Sequence, residues 1–391
     1  MRPNGIFATQ LAITLSATAA LFVLPESPVH AAPTGVLISA TAQPDGWHDQ
    51  TGGSLVEYWS TRSNGEPVRE SGALFVPQGT PPPGGWPIMA WDHGTTGLGA
   101  GCGGQSQPEI GPQPEYRAME NEVMRYFLSR GIAVAAPDYL GLGLDDTGPH
   151  PYLELRTEAT STLDMVRAAR EAEPALSRTW AVTGESQGGQ AALGTAHWQV
   201  GAAPELDFRG TIAVDPESDV EKVLPPVAGP WLPALPGSAG ADVGGFFTSI
   251  LAGLRAARPD AQVDSYLTDQ GRQVLDRIGT LCLPEIKDIV SKVALGDMLA
   301  RPLSEGPLPG VLSDYLTVPT SGYNAPILLL LNATDTTVPS PLHAALVAQF
   351  AANGVDFRAI PGLGEHVVLN EAMWAGIAQF TDRFLATPTV R

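Results

Sequence analysis

Residues Gly184 to Gly188 (Gly-Glu-Ser-Gln-Gly) form the stretch of this sequence that is best suited to chemistry. A strand-like apolar run, Thr179 to Thr183, precedes the stretch, and a helical pattern, Gly189 to Trp198, follows it. A serine on a sharp turn between a strand and a helix needs small residues two positions before and after it, because the turn is strained and crowded. Such a turn presents the hydroxyl to a substrate. The sequence therefore predicts that Ser186 is a nucleophile.

Two later residues could complete the site. A serine hydroxyl is a poor nucleophile until a base accepts its proton, and an acid must hold that base in one tautomer. Asp335 follows the apolar run Ile327 to Leu331, and His366 lies in a glycine-rich loop after the next predicted strand. In α/β-hydrolases the order along the chain is serine, acid, histidine, each after a strand of one sheet. This order predicts that Asp335 is the acid and His366 the base, although a loop aspartate before a helix is often only a cap.

Acyl transfer also requires hydrogen-bond donors for the oxyanion. The backbone N–H of Gln187, directly after the serine, is the first candidate. The second donor is expected in the loop after the strand Pro87 to Asp92, where a glycine lets the backbone amides turn inward. We favour the amide of Thr95 and keep His93 as the alternative.

The sequence predicts neither a metal nor a cofactor. No pair of histidines has the H-E-x-x-H spacing or another spacing typical of metal ligands. Gly99 to Gly104 formally matches G-x-G-x-x-G, but the next predicted helix begins about ten residues later, whereas a dinucleotide site needs a helix at once.

Around these residues, short apolar strands alternate with helical patterns. Such a pattern is typical of an α/β fold with a mostly parallel sheet and helices on both faces, here an α/β-hydrolase fold. The predicted strands are 55–61, 72–77, 87–92, 132–136, 179–183, 210–214, the run from 326 and 355–360, and the predicted helices are 115–129, 152–172, 187–198, 341–352 and 370–386.

The alternation stops at Asp215 and resumes at Pro326, so residues 216–324 read as an insertion. Because this segment is apolar, largely helical and inserted rather than appended, we expect a cap over the site. An independently folded domain without a catalytic part is the alternative. The predicted organisation is a signal peptide (1–31), a first part of the core (32–215), the cap (216–324) and a second part of the core (325–391).

The composition and the N-terminal residues limit the partners and the location that can be expected for this chain. The 391 residues are 43% hydrophobic, which predicts a large buried core, and the formal net charge is −19 with only three lysines. That charge argues against nucleic acid or an anionic membrane surface as a partner. Arg2, the largely apolar run Ile6 to Leu24 and the small-x-small pattern Val29 to Ala31 predict a cleaved signal peptide and a secreted protein, with an N-terminal membrane anchor as the alternative.

The chain has two cysteines, Cys102 and Cys282. In a secreted protein a disulfide between them is expected, and it would connect the loop after the strand Pro87 to Asp92 with the insertion. Two unrelated buried thiols are the alternative.

With these residues in hand, the chain resembles the secretory lipase (lipase A-like) family of α/β-hydrolases over nearly all of its predicted mature length. The resemblance implies Ser186 as nucleophile, His366 as base, Asp335 as acid, a helical cap and a disulfide near Cys102. It also implies activity on triacylglycerols and other carboxylic esters. The chain departs at Glu185, where relatives often carry His or Tyr. The matching stretches are 92–97 (DHGTTG), 136–143 (APDYLGLG), 150–153 (HPYL), 184–189 (GESQGG), 334–339 (TDTTVP) and 364–366 (GEH).

We therefore expect a secreted lipase or carboxylesterase without a cofactor, favoured as a monomer, that acts on small-molecule or lipid esters and contacts a lipid interface transiently. Two alternatives stay open. One is an acyltransferase or peptidase with the same three residues, and the other is a non-catalytic lipid-binding protein on a hydrolase fold.

Overall fold

The structure, a computed structural model, describes residue 1 and residues 34–43, 47–50, 52–109, 114–235 and 237–391. Residues 2–31 of the predicted signal peptide lie outside this part. In the described part, nine strands form one sheet in the order β1-β2-β3-β5-β4-β6-β7-β8-β9. They are β1 (Leu37–Ala42), β2 (Ser54–Thr61), β3 (Pro67–Phe75), β4 (Trp86–Asp92), β5 (Ala133–Pro137), β6 (Leu176–Glu185), β7 (Asp207–Val214), β8 (Ile327–Asn332) and β9 (Phe357–Gly362).

The sheet is mostly parallel, as predicted. The strands from β5 to β9 pair in parallel, whereas β1, β2 and β3 pair antiparallel at one edge. β1 was not predicted, because its small and polar residues give little hydrophobic pattern and the strand forms by pairing with β2. β9 begins two residues later than the predicted strand 355–360.

Helices cover both faces of the sheet, which confirms the predicted fold class. Side chains alternate between the faces: Met89 of β4 packs with the helices Pro114–Ser129 and Glu371–Leu385, and its neighbours Ile88 and Ala90 pack on the opposite face. The helices of the core are α1 (Pro114–Ser129), α2 (Leu155–Ala172), α3 (Gln187–Ala202), α9 (Ser340–Ala352) and α10 (Glu371–Leu385).

Between β7 and β8 the described chain forms further helices, within the predicted insertion 216–324. They are α4 (Val220–Val227), α5 (Gly237–Ala257), α6 (Asp269–Ile278), α7 (Leu283–Val290) and α8 (Leu308–Leu316). Leu251, Ile286 and Leu312 belong to one buried cluster of this inserted segment, which also includes Leu98 and Tyr152 from core loops. The segment is therefore packed onto the loops after β4 and before α2. No helix in the described residues is long and apolar enough to cross a bilayer.

A disulfide and backbone hydrogen bonds join the loop after β4 to the inserted segment. Cys102 is bonded to Cys282, with an S–S distance of 2.06 Å, which confirms the predicted bridge. The N–H of Leu98 donates to the carbonyl of Leu281 (2.9 Å), and the N–H of Leu283 donates to the carbonyl of Thr96 (2.8 Å). The loop in which the second oxyanion donor was predicted is thus fixed to α7.

Candidate active site

Ser186 lies on a sharp turn between β6 and α3. Its φ of 55° and ψ of −121° are rare for a residue with a side chain. The flanking glycines make the turn fit: a Cβ on Gly184 would come within 2.2 Å of the Gly188 carbonyl oxygen, and a Cβ on Gly188 within 1.9 Å of the Asp92 carbonyl oxygen. The requirement for small residues two before and two after the serine is therefore steric, as the sequence predicted.

His366 and Asp335 form a hydrogen-bonded pair. The Nδ1–H of His366 donates to Asp335 Oδ2 over 2.6 Å, and Asp335 Oδ1 accepts the backbone N–H groups of Thr337 (2.8 Å) and Val338 (3.0 Å). Both carboxylate oxygens are used, so the side chain of Asp335 has a single orientation. Among the described residues, His366 Nε2 is buried and has no hydrogen-bond partner. With the proton held on Nδ1, this nitrogen carries the lone pair.

One cavity of about 90 Å³ brings the predicted residues together. Ser186 and His366 line it, and Asp335 lies behind His366. The core supplies the floor of the cavity, and the inserted segment supplies part of its wall. The remaining lining residues are Gly94, Thr95, Thr96, Glu120, Glu185, Asp242, Phe246, Leu283, Pro284, Lys287, Thr337 and Val367.

The predicted oxyanion donors differ in their surroundings. Thr95 lines the cavity, and its hydroxyl lies 2.8 Å from the hydroxyl of Tyr152, which fixes its side chain. His93 does not line this cavity, and its fully buried ring has its two nitrogens 2.7 Å from the Gly94 carbonyl oxygen and 3.1 Å from that of Asp138. Burial lowers the pKa of His93 to about 4, so the ring is neutral and donates to one of these carbonyls at a time.

Gln187 begins α3, and the first N–H groups of a helix have no partner within the helix. The side chain of Gln187 is held by two buried hydrogen bonds. Its Nε2 donates to His150 Nε2 and to Glu158 Oε1, each over 2.7 Å. His150 donates in turn from Nδ1 to the carbonyl of Leu140 over 2.8 Å. This buried network fixes the first turn of α3 and leaves the backbone N–H of Gln187 beside Ser186.

Asp215, at the end of β7, is a positioning residue that sequence reasoning missed. Its Oδ1 accepts the backbone N–H of Asn332 (2.6 Å), and its Oδ2 accepts the Asn332 side-chain amide (2.7 Å) and the backbone N–H of Val367 (2.8 Å). One carboxylate therefore connects the loop of Asp335 with the loop of His366. One feature of the sequence could have pointed to Asp215: it follows a parallel strand, and functional residues of such sheets lie at the carboxyl ends of the strands.

Asp215, Asp335 and His366 also lie close enough to be considered as metal ligands, with candidate atoms within 4.8 Å of one another. The donor set does not favour a metal. The Asp215 carboxylate accepts three N–H groups, and His366 Nδ1 carries the proton that Asp335 accepts. These hydrogen bonds use the same atoms that would bind a cation.

Several buried carboxyl groups surround the cavity. Burial is the main cause that raises the pKa of Glu120 and of Glu217 to about 7, and burial and nearby Glu120 raise that of Glu185 well above its ordinary value. Glu217 lies near His366, which lowers the pKa of Glu217, and near Asp335, which raises it. Both effects are smaller than that of burial. No role was predicted for Glu120 or Glu217, because their burial follows from the tertiary fold.

Comparisons with known proteins identify the family and the fold of this chain. A family model described as secretory lipase matches residues 116–391. The fold is similar to that of lipase A from Candida antarctica (TM-score 0.70, 19% identity, 93% of this chain and 87% of that chain covered). It is also similar to that of a rice cell wall degrading esterase from Xanthomonas oryzae (TM-score 0.67, 18% identity, 90% and 97% covered). No curated protein sequence matches the chain.

Proposed function

Because the chain belongs to the secretory lipase family, we propose that it is a secreted serine hydrolase that cleaves carboxylic esters, lipid esters among them, through an acyl-enzyme. One observation carries the proposal. Ser186, on a strained turn, shares a cavity with His366, whose Nδ1 proton is held by Asp335. His366 Nε2, which has no hydrogen-bond partner among the residues that the structure describes, is the atom that a general base requires.

In the proposed acylation step, His366 Nε2 takes the proton of Ser186 Oγ while Oγ attacks the ester carbonyl carbon. Asp335 stabilises the imidazolium that forms. As the tetrahedral intermediate collapses, the bond from carbon to the alcohol oxygen breaks, and the alcohol leaves with the proton from Nε2. The products are an acylated Ser186 and a free alcohol.

In the second step, His366 removes a proton from water, and the resulting hydroxide attacks the acyl carbon. Collapse of this intermediate returns the proton to Ser186 Oγ and releases the carboxylic acid. The amides of Gln187 and Thr95 are the proposed donors to the oxyanion in both steps, and the loss of one such donor typically costs about 10²–10³ in kcat.

The inserted segment 216–324 is proposed to act as a cap. Phe246 from α5 and Leu283 and Pro284 from α7 form an apolar part of the cavity wall. Such a wall suits the acyl chain of an ester bound at Ser186. Membership in a family described as secretory lipases indicates secretion. We propose that residues 1–31 direct export and are then removed, so that the mature chain begins at Ala32.

The test uses Ser186→Ala, with Ser249→Ala as a matched control at a buried serine of α5 outside the cavity lining. Turnover of 4-nitrophenyl butyrate and labelling by a fluorophosphonate should fall to background in the first variant and persist in the second. Wild-type-like turnover by a folded Ser186→Ala protein would refute the assignment. Absence of labelling in the wild type would favour the non-catalytic alternative, and acyl transfer to added alcohol or amine in place of acid release would favour the transferase or peptidase alternative.

A further inference from the structure

Two carboxyl side chains in the cavity take no part in the proton transfers described above. Glu185, directly before Ser186, is 6% exposed, and Glu120 of α1 is 3% exposed, and both line the cavity. A cavity built only for an apolar acyl chain gains nothing from carboxyl groups, because covering them with hydrocarbon leaves polar atoms unsatisfied. Their presence beside the nucleophile therefore indicates a polar group in the ligand.

The Glu185 carboxyl has no hydrogen-bond partner within the described part of the chain. The position that a Cβ on Gly94 would occupy is 3.7 Å from Glu185 Oε1, so the carboxyl lies against the loop that carries Thr95. A buried polar side chain that faces a cavity without a protein partner is the arrangement expected of a group that binds a ligand.

The other charged groups of the wall are already satisfied. Lys287 forms an ion pair with Asp242 over 2.7 Å, and its ammonium lies 5.4 Å from the ring centre of Phe246. Because the charges of Lys287 and Asp242 compensate each other, Glu185 and Glu120 are the carboxyl groups of the lining that lack such an ion pair within the described residues.

We propose that Glu185, with Glu120, recognises a free hydroxyl group of the substrate, so that the substrates are hydroxylated carboxylic esters. This inference rests on the proposed function and adds the substrate class. Glu120 raises the pKa of Glu185, so the two carboxyl groups are close enough to interact, and both line the same cavity. Because burial raises the pKa of both groups, each carboxyl can hold a proton and then offers an O–H donor beside an acceptor oxygen, and an alcohol hydroxyl can both accept and donate.

The first measurement compares substrates on the wild-type enzyme. One arm places the hydroxyl on the acyl side, with 4-nitrophenyl 3-hydroxybutyrate against 4-nitrophenyl butyrate. The other places it on the alcohol side, with glycerol monobutyrate against propyl butyrate. We expect kcat/KM to favour the hydroxylated ester by about tenfold or more in one arm, since a site built to bind a hydroxyl strongly rejects the analogue without it.

The second measurement uses Glu185→Leu, which keeps the approximate size of the side chain and removes its polarity. Turnover of the hydroxylated ester should fall while turnover of the plain ester is kept or rises, so that the preference is lost. Glu185→Gln, which still accepts and donates hydrogen bonds, should keep part of the preference for the hydroxylated ester. The control Phe246→Leu, in the apolar wall, should change both rates in similar proportion and keep the preference.

A wild-type ratio close to one in both arms would overturn the inference without any variant. An equal loss on both substrates in folded Glu185→Leu would also overturn it, because that result describes a structural residue. A stronger preference for butyrylcholine over 3,3-dimethylbutyl butyrate than for any hydroxylated ester would show that the carboxyls bind a cation instead. Failure of the proposed function is distinguishable, because turnover would then survive Ser186→Ala.

Discussion

Replacement of Gly188 by alanine tests how closely the turn at Ser186 depends on the loop after β4. A Cβ at this position would lie 1.9 Å from the carbonyl oxygen and 2.4 Å from the carbonyl carbon of Asp92, and 2.7 Å from the carbonyl oxygen of His93. All three contacts are backbone atoms, so no side chain can rotate away. Either α3 or the Gly94–Thr95 loop has to move.

The size of that movement follows from ordinary packing distances. A Cβ contact is comfortable from 3.4 Å outward, so the 1.9 Å separation falls about 1.5 Å short. A displacement of about 1 Å at a catalytic geometry can cost about 10²-fold in rate. We therefore expect kcat/KM of Gly188→Ala to fall by at least about 100-fold, or about 2.7 kcal/mol in transition-state stabilisation, with about 1–3 kcal/mol lost from the free energy of unfolding.

The control is Gly201→Ala in the same helix, where a Cβ would meet nothing within 4 Å. Because alanine has a higher helix propensity than glycine, this variant should keep wild-type activity and gain up to about 1 kcal/mol in stability. Initial rates on 4-nitrophenyl butyrate, together with urea unfolding, measure both quantities. Wild-type kcat/KM in a folded Gly188→Ala protein would refute the argument that this contact sets the distance between the turn and the loop.

Two further predictions concern charge. Asp215→Asn removes one acceptor from the carboxylate that connects the Asp335 and His366 loops, so we expect kcat to fall by about 10–100-fold with little change in KM. The control Asp219→Asn, four residues later and outside the cavity lining, should keep kcat, and equal losses in both variants would contradict the positioning role. The second prediction is that stability falls as pH rises from about 6.5 to 8.5, measured as the thermal midpoint at constant ionic strength. Burial raises the pKa of Glu70 and Glu158 to about 8 and those of Glu120 and Glu217 to about 7, so below these values each group holds a proton in the folded state and is ionised in the unfolded state. A raised folded-state pKa gives stability that is complete below the unfolded pKa and is lost as pH rises through the folded value, with a slope of about 1.4 kcal/mol per pH unit for each such proton. The buried histidines act in the opposite direction only at lower pH, because burial lowers the pKa of His48 and His93 to about 4 and they are neutral in both states above pH 7. Glu158→Gln should flatten the slope, and a midpoint that rises across this window would contradict the argument.

The sequence was sufficient for the parts of the fold that depend on local pattern. Apolar runs such as Ile327 to Leu331 are buried on both sides in β8, and the glycines at 184 and 188 predicted the turn because their role is steric and local. The order of Ser186, Asp335 and His366 along the chain was also informative, because the carboxyl ends of parallel strands meet at one edge of the sheet.

Features that depend on tertiary contacts could not be predicted from the local sequence pattern. β1 exists because β2 offers an unpaired edge, and its own residues carry little signal. Asp215 resembles any aspartate after a strand until its three hydrogen bonds are seen. The burial of Glu120 in α1 is likewise a product of the packed cavity and not of its helical neighbours.

The junction between residues 96–98 and 281–283 has a mechanical consequence. Two backbone hydrogen bonds and the Cys102–Cys282 bridge hold this part of the inserted segment to the core. The ion pair between Lys287 and Asp242 joins α7 to α5, so both helices that line the cavity are connected to this junction. The cavity wall that α5 and α7 form is therefore held to the core by one covalent bond and two backbone hydrogen bonds, and it cannot move away from the loop after β4 as a whole while Cys102 and Cys282 remain bonded.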